Sequence, residues 1–432
     1  MVRHRVRAIV WVIVWVIVGG STLLAPPARA AEVTRSVTAF DADDTFDLNL
    51  TATWTHEARR ADVNNELETA AGASVVRDLK YAETRDVLNL RADFGILWDV
   101  GFHIQAPLVL DDSSTLSYDG PLVNSGNSLA VADQIVPSSG NFQSPTRRGF
   151  ESLGLGLNWA VFNQRRDDTK PTWTLGFDAF LDVFKDQRYD PANPNGNTAV
   201  GLGYHQLVWS TWISKRFRYF DPYFGATYML PIRTNGSIFQ DEGGGQTDVN
   251  PQQIATVTIG IEQIAWENPR GDQRVTVELR GFAQEHFSGR GYSELWQPLS
   301  GNPSCTLAGT NGQQCRPSLD IGMDAQGNPK PSPYPGVSSI DAYGSFGGDL
   351  GLNVQVGRYI RFRGLFGVTL DMPHLITDAS AGVDTNGDGR VDSTNPKEAN
   401  PLYRESIDLP GRRFKVEESR DYRLLIEGSL MF

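Results

Sequence analysis

Long and short connections alternate strictly between segments of period-two hydrophobicity, and few folds accommodate that pattern. Twelve segments alternate apolar with polar residues, over about 46–56, 86–96, 100–109, 151–162, 172–184, 201–215, 219–230, 253–266, 273–286, 342–356, 360–372 and 420–432. Phe46, Leu48, Leu50, Ala52 and Trp54, for instance, alternate with Asp47, Asn49, Thr51 and Thr53. Such a strand has one apolar and one polar face. The least regular segment is 201–215, where Leu207, Trp209 and Ile213 compete with Val208 and Trp212 for the apolar face. The connections are 57–85, 97–99, 110–150, 163–171, 185–200, 216–218, 231–252, 267–272, 287–341, 357–359 and 373–419, by turns long and short. An even strand count with tight turns at one end and long loops at the other is the pattern of a closed antiparallel transmembrane β-barrel. Each segment also meets the ~9–11 residues a tilted strand needs to cross a bilayer.

Composition narrows the alternatives. The 432 residues carry a formal net charge of -12, which argues against nucleic acid as a partner. No run reaches the ~18–20 apolar residues of a transmembrane helix. The 43 glycines and 10% aromatic content suit a β-rich chain. A secreted β-sandwich is the competing fold.

The N-terminus reads as an export signal. Arg3, His4, Arg5 and Arg7 precede a short apolar run from Ala8 to Gly20, and Ala28-Arg29-Ala30 places small residues before a cleavage point. Residues 1–30 are expected to be removed before Ala31. The remaining chain, 31–432, loses four arginines and no acids, which takes the charge from -12 to -16.

The polar faces are expected to line a lumen. They carry Arg91, Asp93, Asp178, Glu262, Glu278, Arg280, Asp349, Arg361, Arg363, Arg423 and Glu427. Mixed signs within strands fit an interior laced with ion pairs. The turn 97–99 sets Ile96 opposite Val100, and the turn 357–359 sets Val356 opposite Ile360, keeping apolar faces together. Asn353 and Gln355 then oppose Arg363 and Arg361, which predicts a mildly basic patch on one wall. Phe46, Trp98, Phe162, Trp173, Phe217, Phe220, Trp266, Tyr359 and Phe432 cluster at the short-turn ends, as an interfacial aromatic belt would.

Tyr422, Leu424, Ile426, Gly428, Leu430 and Phe432 alternate up to a terminal Phe. This end resembles the closing strand of Gram-negative outer-membrane β-barrel proteins, among them the porins and related channels. The resemblance implies an outer-membrane location, membrane lipid as solvent, and recognition of the strand ending in Phe432 by the outer-membrane assembly machinery. It also implies that the short turns are periplasmic and that the long loops, 287–341 and 373–419 among them, are extracellular. It leaves the substrate open.

Three local features were weighed for chemistry. Asp384-Thr385-Asn386-Gly387-Asp388-Gly389-Arg390-Val391-Asp392 resembles the calcium loops of EF-hand and dockerin-type proteins. Asp384, Asn386, Asp388, the Arg390 carbonyl and Asp392 would supply oxygens to Ca²⁺. Asn395 stands where a bidentate Glu belongs, so binding is expected to be weak, about 10⁻⁴–10⁻³ M. Cys305 and Cys315, ten residues apart in one exported loop, are expected to form a disulfide. Outer-membrane phospholipases use a His, a Ser and an Asn, and Glu285-His286-Phe287-Ser288 is a faint echo without a recognisable Asn partner. No catalytic constellation emerges, so the chain is not expected to be an enzyme.

The expected role is a passive channel for small solutes, with a polar lumen narrowed by charged side chains and infolded loops. A surface-display or adhesion barrel with calcium-stiffened loops is the alternative, and a lipid-active enzyme comes third.

Overall fold

A computed structural model describes residues 31–35, 37, 47–69, 72–97, 99–119, 141–190, 193, 196–241, 245–300, 335–392, 395 and 397–432. Twelve long strands form the wall. They are β1 (Leu48–Thr69), β2 (Gly72–Leu97), β3 (Val100–Tyr118), β4 (Leu153–Phe162), β5 (Thr172–Leu181), β6 (Tyr204–Ser214), β7 (Phe220–Arg233), β8 (Ile254–Asn268), β9 (Gln273–His286), β10 (Tyr343–Val356), β11 (Ile360–Asp371) and β12 (Phe414–Met431). Each pairs antiparallel with its sequence neighbours, and β1 pairs with β12. Trp54 lies opposite Ile426, and Leu48 and Phe432 exchange backbone hydrogen bonds of 3.1 and 2.8 Å. The sheet is therefore a closed barrel.

Closure sorts the side chains. Leu90, Leu352 and Ile426 point outward, as the alternation requires, and Ile426 keeps 53% of its surface exposed. Asn353 and Ser429, their neighbours of opposite parity, are buried in the interior. The irregular segment resolves in favour of Trp209 and Ile213, which are exposed, while Trp212 lies over Gly225. A closed wall with an apolar outside and a polar inside suits lipid, which cannot hydrogen-bond an open edge. Trp266, Tyr359 and Phe432 are exposed at the short-turn end, where the belt was expected.

Four of the five short turns contain a residue in the left-handed region. Asp99, Arg218 and Asp272 have φ of 64°, 50° and 52°, and Gly357 has 73°. A left-handed residue closing a short loop matches the twist of the flanking strands. The 357–359 turn pairs Val356 with Ile360 as expected. The 97–99 turn does not: the register shifts between Gly95 and Leu97, and Leu97 pairs with Val100. A bulge at Ile96 absorbs the extra residue and keeps both apolar faces outward.

The first long connection is also different from expectation. Residues 57–85 are mostly strand, because β1 and β2 stay paired as far as Thr69 opposite Gly72. This part carries polar residues on both faces, such as Glu57, Arg59 and Arg60. Beyond the lipid nothing selects an apolar outer face, so the period-two signal fades while the backbone ladder persists.

The apolar core lies at the long-loop end, not within the wall at lipid level. Ala61, Val63, Leu79 and Tyr81 from the protruding parts of β1 and β2 meet Leu295, Leu299 and Ile340, Ile376, Leu402 and Ile407, and Phe414 and Val416 of β12. The described parts of the loops 287–341 and 373–419, residues 287–300, 335–341, 373–392 and 397–413, thus pack at the barrel mouth. Each fully buried aliphatic side chain contributes roughly 1.5–3 kcal/mol. Cys305 and Cys315 lie outside the described residues.

The wall assignment predicts a depth-dependent penalty. Arg placed at Leu352 or Ile426 should destabilise the barrel by roughly 2–4 kcal/mol, and Arg at Tyr359 by about 0–1 kcal/mol. Equilibrium unfolding in lipid vesicles, followed by Trp fluorescence, measures both.

Candidate functional site: a polar lumen closed at both ends

Inward-facing residues of the wall leave room for one another by size. Tyr223 of β7 lies across Gly260 of β8, and Phe282 of β9 across Gly347 of β10; a Cβ at either glycine would strike the ring. Large lumen side chains therefore lie flat on the wall where the neighbouring strand has no side chain.

The mid-lumen charges are paired. Arg91 contacts Asp93, two residues on along the same strand, at 2.6 Å. His103 and Gln105 of β3 converge on Asp178 of β5. Asp349 of β10 bridges Arg280 of β9 and Arg423 of β12, the latter at 2.8 Å. Glu278 of β9 accepts from the Tyr223 hydroxyl at 2.6 Å and from Arg363 of β11 at 2.7 Å. Arg361 contacts Glu427 at 3.1 Å, Ser429 at 2.9 Å, and Glu32. Arg91, Asp93, Glu278, Arg280, Arg361, Arg363, Arg423 and Glu427 thus lie with Asp178, Glu262 and Asp349 on the interior side of the wall.

The expected basic patch is absent. Asn353 and Gln355 do oppose Arg363 and Arg361 in the register. Each arginine nevertheless has its own carboxylate, Glu278 for Arg363 and Glu427 with Glu32 for Arg361. Strand-by-strand reading finds cross-strand neighbours but not partners from two strands away or from outside the wall.

Glu32 is the residue sequence reasoning missed. It opens a single 3-10 turn, Glu32–Thr34, that lies inside the lumen toward the short-turn end. Its backbone N–H donates to Glu262 at 2.7 Å, and the hydroxyls of Thr34 and Ser214 share a 2.7 Å hydrogen bond. Arg35 reaches the Met431 sulfur at 2.9 Å. No alternation marks this stretch, so the sequence held no signal for it. Together these contacts set a stopper from outside the wall into one end of the lumen.

The loop core lies at the other end. Beneath it, the ring of Tyr343 stacks between His286 and His374, with centroids 4.3 and 3.7 Å apart. Arg59 bonds Glu294 at 2.7 Å and Asp371 at 3.3 Å beside this stack. A cavity of about 190 Å3 opens here, lined by Arg59, Tyr204, Tyr292, Glu294, Tyr343 and His374 among others. His286 faces the lumen, so it does not lie on the outer face where a phospholipase-like residue would. The cap itself is tied by Arg413, which holds Glu66 at 2.9 Å and Asp378 at 2.7 Å.

The aspartate-rich loop is satisfied by its own backbone. Asp384 accepts from the N–H groups of Gly387 and Gly389 at 2.7 and 2.8 Å, and these hold its carboxyl below the usual range. Asn386 donates to Asp388 at 3.0 Å, Asp388 accepts from Arg390 N–H at 2.8 Å, and Asp392 N–H donates to Glu398. Among the described residues no group of three or more His, Cys, Asp or Glu side chains is arranged to hold a metal ion. The EF-hand likeness goes no further than the sequence.

The fold and lumen define a closed twelve-strand antiparallel barrel of membrane type. No family model and no curated protein matches the chain. Among solved structures, an outer-membrane channel from Pseudomonas putida F1 is 9% identical with a TM-score of 0.35, over 88% of this chain and 95% of that one. A Pseudomonas aeruginosa FadL homologue is 8% identical with a TM-score of 0.30, over 90% of each chain. The outer-membrane protease OmpT of Escherichia coli is 7% identical with a TM-score of 0.27, over 89% of this chain and 96% of that one.

Two predictions follow from the pairing. Arg363→Ala strands the buried Glu278 charge and should cost roughly 3–5 kcal/mol, while adding Glu278→Gln should recover much of the loss. A double-mutant cycle by vesicle unfolding reads this. In the cap, burial pushes the Asp408 carboxyl up to about 7 despite the N–H groups of Arg404 and Ala379. An unfolded Asp titrates near 3.9. The folded cap therefore binds the proton more tightly, and this stabilisation is lost as pH rises through about 7. Hydrogen-exchange protection around Ala379 and Arg404 should fall between pH ~4 and ~7 in the wild type, and Asp408→Asn should flatten that fall.

Proposed function

We propose that this protein is an outer-membrane channel for small solutes, exported through a cleaved signal peptide, and that the conformation described is its closed one. The observation that carries the reading is that both stoppers come from outside the wall. Glu32–Thr34 closes one end through a few polar contacts, and the folded loops close the other. A barrel whose only task is structural has no need of separate, displaceable stoppers over a polar interior. Because the lumen arginines are paired with carboxylates, the interior field is balanced. The solutes should be small and of low net charge, since neither sign is favoured.

Membrane lipid is the partner of the outer face, and the strand ending in Phe432 is the proposed contact with the assembly machinery. Calcium at Asp384, Asn386, Asp388, Arg390 and Asp392 is a separate proposal that rests on sequence alone. A display or adhesion barrel is the second reading, favoured by the β1–β2 hairpin that projects past the apolar belt.

Planar-bilayer conductance separates them. The wild type should conduct weakly, and replacing Glu32–Arg35 by glycines should raise the conductance several-fold by clearing one end. If neither protein conducts, the channel reading fails and the adhesion reading takes its place.

A further inference from the structure

Around the stopper the lumen carries two buried carboxylates side by side. Asp221, near the start of β7, has 0% of its surface exposed; its neighbours are the Ser214 hydroxyl, itself bonded to Thr34, and the guanidinium groups of Arg274 and Arg216. Its cross-strand neighbour on β8 is Glu262, also 0% exposed. Glu262 takes Arg274 at 3.1 Å on one oxygen and the Glu32 N–H on the other. Arg216, at the same end, is bound to Glu267 at 2.6 Å. The zone around the stopper thus gathers five carboxylates, Glu32, Asp221, Glu262, Glu278 and Glu427, against the four guanidinium groups of Arg35, Arg274, Arg361 and Arg363. Adjacent buried carboxylates are disfavoured unless they take up a proton or a further cation.

The chain itself can supply it. Ala31 is fully buried and directly precedes Glu32, whose nitrogen touches Glu262. Consecutive backbone nitrogens lie about 3–4 Å apart, so the Ala31 nitrogen lies within that distance of the Glu32 nitrogen that touches Glu262. The inference rests on the reading of 1–30 as a signal peptide. Hydrolysis of the Ala30–Ala31 peptide bond breaks its C–N bond with one water, leaving a carboxylate on Ala30 and an amine on Ala31. That amine takes up a proton.

We propose that Asp221 and Glu262 form a binding site for a primary ammonium, and that its ligand is the α-ammonium of Ala31 created by export processing. The uncleaved chain carries only a neutral amide at that nitrogen. Removal of the signal peptide therefore provides the charge that latches the stopper into the lumen, so the lumen closes only after export is complete.

The test reads the amine directly. Intact mass of the folded protein in detergent shows whether the chain begins at Ala31. The protein is then acylated with an amine-reactive ester near neutral pH and digested with trypsin. The first peptide, Ala31–Arg35, contains no Lys, so its acylation reports the α-amine alone. Raising an amine's pKa by one unit lowers its reactive fraction about tenfold. The wild type should therefore label at least ~10-fold more slowly than a variant with Gly-Gly inserted before Ala31, or than Asp221→Asn/Glu262→Gln. Heat-modifiable migration confirms that each variant is folded. If the double substitution fails to fold, the insertion variant carries the comparison. Equal labelling with a confirmed Ala31 terminus overturns the latch and leaves the processing reading intact. A terminus elsewhere overturns both. Conductance of the glycine-replaced protein is read separately, so failure of the channel does not mask either result.

Discussion

The hydrogen bonds between the first and last strands are the constraint on which the rest of the structure depends. In lipid every unpaired N–H and C=O costs several kcal/mol, so a sheet there has no tolerable edge. The β1–β12 ladder removes both edges at once, from Asn49 opposite Met431 through Arg60 opposite Arg420. Once the wall is closed, one parity of every strand must face lipid and the other must face a narrow interior. The apolar belt, the polar lumen and the alternation of side-chain size across the wall all follow from that division.

The lumen shows how a narrow barrel manages charge. Most partners arrive from different strands: Tyr223 and Arg363 meet on Glu278 across 55 and 85 residues of sequence. Glycines beneath the larger side chains let these partners lie along the wall. The interior is consequently filled without an apolar core at lipid level. The core is built instead from the loops, where water is available outside and Leu, Ile and Phe can be covered.

Much of this could be read in the sequence, because lipid imposes a simple rule on residues such as Leu90, Leu352 and Ile426. Strand number, outward faces, the 357–359 turn and the closing pair all follow from period two and turn length. The continuation of β1 and β2 past Glu57 and Arg85 was hidden, since outside the lipid both faces of a strand are free to be polar. The bulge at Ile96 was hidden because a single extra residue changes pairing without changing outward polarity. Of the candidate site, the lumen residues were legible one by one, but their partners were not. Glu32 joins Arg361 across 329 residues from a stretch with no periodicity. The buried Asp221–Glu262 pair shows only when the register between β7 and β8 is known.

The closing ladder also sets a schedule. Thr51 and Ser429 share a hydrogen bond across 378 residues, so almost the whole chain must be present before the first strand finds its second partner. Neighbouring hairpins can form early, since their turns are short and their contacts local. Yet until β12 arrives, β1 shows an unpaired edge, a template for any other extended chain. The time between the first hairpin and the last strand is thus the interval in which this protein is most exposed to aggregation, and its length is fixed by the order of the strands rather than by the strength of any one of them.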